Sequence, residues 1–470
     1  MSTTLEELAR WMAAPRENEN LEFKAAANQY DNTKLFGYCV AIANEGGGKL
    51  ILGVSDAPPR EVVSTAAFNN PAGIQRKIFD KLRFRVEVEE LTHPSGRVVI
   101  FHIPSRPRGT AYHLDGAYLM RAPDNTVPMS EDQLRRIFDE GKPDWLMQTA
   151  REGCSASDVI RLLDTQSYFD LMKLPYPANR DAVLDRFGSE KLILYTGRDF
   201  SITNLGAVLF AKRLDEFEGV SRKAPRVVVY VGLNKLEDSR LIGSGTKGYA
   251  VGFEGLIEFI NSQIPSNEVI GRALRTEVKM FPEIAIRELV ANALIHQDFN
   301  ETGTSVTIEL YSDRLEITNP GKPIISPDRF IDEYQSRNEK LADLMRRFGI
   351  CEEQGKGIDK VIAHVEVWQL PAPDFRLGER HTLAIMFAHK AFDEMDGKDR
   401  IRACYQHCTL RFLMNQKMDN QSLRQRFKLP EHKSETVSRI IRDAMEQGRV
   451  KLDDPMNTSR RYARYVPYWA

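Results

Sequence analysis

Residues 287–298 read RELVANALIHQD, a helical stretch in which Glu288, Asn292 and His296 recur every four residues. That spacing stacks a carboxylate, a carboxamide and an imidazole along one stripe, while Ile286, Leu289 and Ala293 share another. An exposed polar stripe is the plain alternative. Asn, however, competes with the backbone for hydrogen bonds, so its place in an Ala- and Leu-rich run points to a task. Downstream, TSVTIELYS (304–312) and RLEITNP (314–320) read as strands, the second running into a turn at Gly321. EQGKGIDK (353–360) then sets Gly355, Lys356 and Gly357 ahead of an apolar helix, where backbone N–H groups and the helix N-terminus can hold phosphate.

In this order the pieces resemble the GHKL ATPase superfamily, in the divergent branch whose helix pattern is ELVxNAxxHxD, matched here by ELVANALIHQD. The resemblance implies an α/β sandwich that binds ATP with Mg²⁺. Asn292 would ligate the cation, and Glu288 would orient or activate the attacking water. Gly355 and Gly357 would close a lid over the phosphates, with His296, Asp298, Gly321 and Lys356 in the same ATP site. One departure stands out: the superfamily's adenine-reading Asp is here Asn319, in ITNPG. An amide still pairs with adenine, but it leaves room for weaker binding or for other nucleotides.

Near the start, ENENLEFKAA (17–26) places Glu17, Glu22 and Lys24 around Leu21 and Phe23. In a strand, Glu22 and Lys24 point to one face. Asp56 ends the apolar run KLILGVSD, so three carboxylates and an ammonium can gather; three hard oxygen ligands suit Mg²⁺ or Mn²⁺. A charged strand edge plus a turn-capping Asp is the alternative. ENENLEFK, AIANEGGGKLILGVSD and AYLMRAPDNTVP resemble the Schlafen-type AlbA_2 domain over residues 10–140. That resemblance implies nucleic-acid binding and, where Glu17, Glu22 and Asp56 act together with Lys24, metal-dependent cleavage of RNA.

The charge is uneven along the chain. Residues 400–470 hold 15 Lys and Arg against 7 Asp and Glu, whereas the 470-residue chain as a whole nets −1. Within that basic tail, MDNQSLRQRFKL and KSETVSRIIRDAMEQGRVKL read as helix, turn, helix, with Ser434 or Thr436 as a cap and Gly448 as the stop. Arg439 and Arg442 share a face of the second helix, and RVKLDDPMNTSRRYARYV forms a hairpin carrying Arg460, Arg461 and Arg464. The pattern is that of a winged helix, used for DNA or for dimerisation.

The expected organisation is an α+β multidomain chain. It has an AlbA_2 domain at 1–140, a connecting α/β region at 141–275, a GHKL-like domain at 276–392 and a winged helix at 400–470. No apolar run is long enough to cross a bilayer, the start lacks a secretion-signal pattern, and five scattered cysteines suit a reducing compartment, so a cytoplasmic address is expected. Cys404 and Cys408 flank His407 in CYQHC without a second ligand pair, and read as buried helix residues. Two functions follow: an ATP-gated nucleic-acid effector with an N-terminal nuclease acting in phage defence, or an ATP-responsive DNA-binding regulator without nuclease activity. GHKL proteins commonly dimerise, so the resemblance also implies a homo-oligomer.

Overall fold

A computed structural model describes residues 3–13, 20–122, 125–141, 143–236, 239–270, 275–351, 357–455 and 463–470. The chain divides into two compact units, residues 1–143 and 144–470.

The first unit opens with α1 (Leu5–Met12), closed at its N-terminus by a Thr4/Glu7 capping box. There follow β1 (Leu21–Lys24), α2 (Asn32–Asn44), β2 (Gly48–Leu52), α3 (Pro71–Leu82), β3 (Glu87–His93) and β4 (Gly96–Ile103). The strands form a sheet in the order β1-β2-β4-β3, with β1 parallel to β2 across the α2 crossover. The glycine run after α2 is required by close approach: a Cβ at Gly48 would fall inside the Asn20 carbonyl, whose oxygen accepts the Lys49 N–H at 2.8 Å. Beyond the sheet lie β5 (His113–Leu114), β6 (Ala117–Ala122), β7 (Asn125–Pro128) and α4 (Glu131–Asp139). Asn44, at the end of α2, is buried and fully used. Its amide donates to the Tyr112 and Leu119 carbonyls at 2.9 Å, and its oxygen accepts the Tyr112 N–H at 2.8 Å. That one side chain ties α2 to the β5–β7 hairpins.

The second unit begins with β8 (Thr149–Cys154), α5 (Ala156–Leu162), α6 (Thr165–Leu171), α7 (Arg180–Ser189), β9 (Ile193–Thr196), β10 (Asp199–Thr203), α8 (Asn204–Phe210) and α9 (Glu218–Ser221). Next come β11 (Arg226–Tyr230), β12 (Ser239–Ser244), α10 (Tyr249–Gln263), β13 (Ser266–Ile270), β14 (Arg275–Lys279), α11 (Glu283–His296), β15 (Thr307–Leu310) and β16 (Arg314–Pro320). The chain continues through α12 (Glu339–Arg347), α13 (Gly357–Val367), β17 (Asp374–Leu377) and β18 (His381–Phe387). A six-stranded sheet runs β12-β11-β15-β16-β18-β17. It crosses the boundary expected at 275/276, because β11 and β12, from the stretch expected only to connect, supply two of its strands, β11 pairing in parallel with β15. The apolar helix α8 is buried along its whole length, α10 along one side and α11 on nearly every side, all in one core with the inward residues of that sheet.

The chain ends in α14 (Gly397–Leu413), α15 (Asn420–Arg426), α16 (Ser434–Glu446), β19 (Val450–Leu452) and β20 (Tyr465–Pro467), with the two strands antiparallel. The expected Ser434 or Thr436 cap is not formed. Lys433 takes the N-cap position after a 3₁₀ turn, and the Ser434 hydroxyl donates to Asn420 Oδ1 instead, at 3.0 Å. Cys404 and Cys408 are buried in α14, and no metal-binding cluster of His, Cys, Asp or Glu occurs among the described residues. No helix among them is long and apolar enough to cross a membrane.

A Cβ on Gly206 of α8 would land on the Leu192 carbonyl, whereas Gly219 of α9 faces open space. Gly206→Ala is therefore expected to destabilise the second unit by about 2–4 kcal/mol, and Gly219→Ala to be neutral or mildly stabilising; thermal unfolding of both variants against wild type checks this.

Candidate functional site

An open cavity of about 1060 Å³, counted with the solvent space at its mouth, lies in the second unit. Its floor is the sheet: Ile317 and Asn319 project from β16, and their register partners Ala384 and Thr382 from β18. Its roof is α11, which contributes Glu288, Asn292 and His296, so the three residues spaced by four do converge on one cavity. Gly357, the first residue of α13, closes one end. A methyl group on it would sit 2.6 Å from Glu288 Oε2 and 3.4 Å from Asn292 Nδ2, so the α13 N-terminus meets that acid only because the residue is glycine. Gly355 and Lys356 lie outside the described residues.

Asp298 and Gly321 sit beside the cavity, where their backbones are pressed together. The Asp298 N–H donates to the Pro320 carbonyl at 2.8 Å, and a Cβ at Gly321, whose φ is +92°, would come within 2.5 Å of Asp298 Cβ. The Asp298 carboxylate is paired with Arg337, which also donates to the Lys322 carbonyl at 2.6 Å. Arg337, Tyr334, Phe330, Phe375 and Thr382 complete the lining and were not picked out by motif. They fall in loops and at strand ends without a 3.6-residue period. Among these five only Arg337 is charged, and its loop also holds Lys322 and Arg329, so nothing in the sequence sets it apart. His296 is neutral at physiological pH, because burial pulls its pKa down to about 4, reinforced by the Arg337 charge. Asn292 and Asn319 make no side-chain hydrogen bond among the described residues and present free carboxamides to the cavity.

In the first unit the sequence-distant charges also converge. Lys24 Nζ lies 2.8 Å from Glu22 Oε1 and 3.1 Å from Asp56 Oδ2, and Asp56 Oδ1 accepts the Ala25 N–H at 2.9 Å. Glu22 is buried, and its other oxygen pairs with the buried Arg121, a residue the strand pattern AYLMRA did not mark as functional. Burial of Lys24 opposes its charge, but the two carboxylates outweigh it and raise its pKa. The ring of Tyr38 lies beneath the Lys24 and Arg121 cations, at 5.9 and 5.1 Å, and its hydroxyl is shifted up by burial and by Glu22. Of the expected metal trio, Glu22 and Asp56 are brought together around Lys24. Glu17 lies outside the described residues, and the Glu22 and Asp56 oxygens already face an ammonium, a guanidinium or a backbone N–H. In the cavity, Asn292 offers one oxygen, enough for Mg²⁺ that brings its other ligands with a polyphosphate.

Several cations of the basic tail are paired within the chain, although only Arg426 among them is buried. Arg426 Nε lies 3.4 Å from Glu366 Oε1, Arg449 pairs with Asp328, Arg464 with Asp419 at 3.1 Å, and Lys417 with Asp453 at 2.5 Å. Arg439 and Arg442 are exposed and form no ion pair among the described residues, while Arg460 and Arg461 lie outside them.

Residues 17–130 match the family model described as Schlafen, AlbA_2, and residues 303–387 match HATPase_c_4, described as Putative ATP-dependent DNA helicase recG C-terminal. The chain joins an AlbA_2 domain to a HATPase_c_4 domain. The HATPase_c_4 match starts downstream of α11, so Glu288, Asn292 and His296 are placed in the cavity by the fold alone. The DIP2311 protein from Corynebacterium diphtheriae is similar over 98% of this chain and 96% of its own, at 15% identity and a TM-score of 0.43. The N-terminal domain of a putative ATP-dependent DNA helicase RecG-related protein from Nitrosomonas europaea covers 28% of this chain and 96% of its own, at 19% identity and a TM-score of 0.20. No curated protein matches the chain.

Two predictions follow from these groups. The folded pKa of His296 lies below its unfolded value near 6.5, so between pH 6.5 and about 4 the unfolded chain binds the extra proton and stability falls as pH falls. His296→Asn should remove about 2 kcal/mol of the stability loss between pH 7 and pH 5, read from denaturant unfolding at the two pH values. In the AlbA_2 domain, Arg121→Met leaves the buried Glu22 carboxylate with Lys24 alone and should cost about 3 kcal/mol; Glu22→Gln added to it should recover most of that loss in thermal unfolding.

Proposed function

We propose that the chain is an ATP-responsive nucleic-acid-binding protein whose C-terminal module, read as a winged helix, is set by the nucleotide state of the HATPase_c_4 cavity. ATP would lie with its phosphates toward Glu288, Asn292 and the α13 N-terminus, where the helix end and backbone N–H groups favour an anion. Asn292, with Glu288 close by, would hold Mg²⁺, which neutralises phosphate charge when bound.

The observation that carries this reading is how the C-terminal module is fastened. Two walls of the cavity are tied to it. On the 327–337 wall, Tyr405 Oη donates to the Asp328 carbonyl at 2.6 Å, Arg449 pairs with Asp328, and Arg329 lies 4.5 Å over the Trp469 ring. On the other side, α13 runs from Gly357 at the cavity to Glu366, which His407 of α14 meets at 3.0 Å and Arg426 of α15 at 3.4 Å. A ligand that shifts Gly357 or the 327–337 wall therefore shifts the seats of α14, α15 and β19–β20. Exposed Arg439 and Arg442 on α16 supply phosphate contacts.

The convergence of Glu22, Lys24 and Asp56 favours a second reading, in which the AlbA_2 domain cuts RNA and acts in defence against phage. Cleavage of labelled RNA that is lost in Asp56→Ala would support it. No cleavage with Mg²⁺ or Mn²⁺, in the presence or absence of ATP, would leave the binding role alone.

The regulator reading is tested by fluorescence anisotropy of duplex DNA and of RNA with the full chain. ATP–Mg²⁺ is expected to change affinity at least five-fold in wild type, within the ordinary range of allosteric coupling, and to have little effect in Asn292→Ala. Equal affinities with and without nucleotide would overturn it. The homo-oligomer implied by the GHKL resemblance belongs to the same proposal, and sedimentation with and without ATP reads it directly.

A further inference from the structure

We infer that the cavity takes purine nucleotides without distinguishing adenine from guanine, and that Asn319 is the specificity-determining residue. The inference rests on the nucleotide reading above. Its own argument comes from the sheet side of the cavity. There the floor is apolar, built from Ile317, Ala384 and Phe375, with Phe330 stacked edge-on to Phe375 at a ring separation of 5.4 Å. A flat aromatic base is the kind of ligand such a slot accepts, since it buries a broad apolar face and needs only a few polar contacts at its rim.

The rim contact is supplied by Asn319. Its side chain is half-buried, lines the cavity and has no hydrogen-bond partner among the described residues. Its cross-strand partner Thr382 is already used: the buried hydroxyl donates to the Gly321 carbonyl at 2.9 Å. Thr382 therefore braces the turn, and its proton is not offered to the base. A free carboxamide carries one acceptor and two donors. Toward adenine, the oxygen accepts from the exocyclic amine while the N–H group donates to the neighbouring ring nitrogen. Toward guanine, rotation of the amide by a half-turn lets the N–H group donate to the carbonyl oxygen while the amide oxygen accepts from the ring N–H. Both bases gain two hydrogen bonds. A carboxylate at this position would have no donor to offer either acceptor. Cytosine and uracil have Watson–Crick edges as well, but their single ring covers less of the apolar floor.

The test is isothermal titration of the full chain with ATP, GTP and CTP in turn, each with Mg²⁺. ATP and GTP are expected to bind with dissociation constants within about ten-fold of each other, and CTP at least about ten-fold more weakly than both. In Asn319→Leu, ATP and GTP are expected to lose affinity by a similar factor, on the order of 10- to 100-fold. A preference of more than ten-fold for either purine in wild type overturns the inference, as does CTP binding as tightly as the purines. If none of the three binds, the nucleotide reading itself falls. If ATP alone binds, that reading stands and only the present inference is lost. The wild-type comparison needs no variant, so a misfolded Asn319→Leu protein would not spare the inference.

Discussion

The contact between the start of α13 and the middle of α11 organises the second unit. A helix N-terminus can approach Glu288 and Asn292 this closely only through a residue without a side chain, and Gly357 is that residue. The approach also depends on α11 lying low on its sheet. Ala285, Ala291 and Ala293 keep the helix slim while Ile286, Leu289, Val290 and Leu294 fill the space against β15 and β16. Polar groups that would be costly in a closed core are thereby lifted to its rim and gathered around one cavity.

The same helix carries the consequence away from the cavity. From Gly357 to Glu366 there are nine residue steps, about 13–14 Å of helix at 1.5 Å per residue, and a packed helix moves as a rod over that length. Its far end is held by the partly buried Glu366–His407–Arg426 group rather than by a solvent-exposed pair. Breaking one partner of such a group leaves a desolvated charge, so the joint is stiff. The Asp328–Arg449 pair and the Tyr405 hydrogen bond fix a second joint on the opposite wall. Under the proposed nucleotide reading, a change in cavity shape would therefore reach the C-terminal module at two places.

How much of this was legible in the sequence follows from how each feature is encoded. The stripe Glu288–Asn292–His296 was legible because helical period fixes which side chains share a face. The strands 307–320 were legible from their alternation, and the inward glycines from the turns they end. The six-stranded sheet was not, because β11 joins β15 across a long excursion through α10, β13 and β14, and no local pattern reports a parallel pairing of that separation. Arg337 and Thr382 were hidden for a different reason, since a loop cation and a strand Thr have many ordinary uses. In the AlbA_2 domain, the gathering of Glu22, Lys24 and Asp56 was readable, but its sign was not. Arg121, 99 residues from Glu22, converts an expected cluster of acids into a neutralised one.

That conversion bears on how the AlbA_2 domain should be understood. Glu22 and Arg121 are almost fully withdrawn from water, and a buried ion pair of this kind contributes little net stability compared with apolar residues of the same size. Lys24 adds a second cation and Tyr38 a π-face beneath both, so the cluster holds more positive groups than Glu22 alone would require. Two of the Arg121 nitrogens, Nε and Nη1, make no hydrogen bond although they are buried. Those unmet donors, beside a partly exposed ammonium, leave the cluster with hydrogen-bonding capacity that its two carboxylates do not use. The physical character of this cluster therefore follows from its cations, with the carboxylates serving to hold them in place.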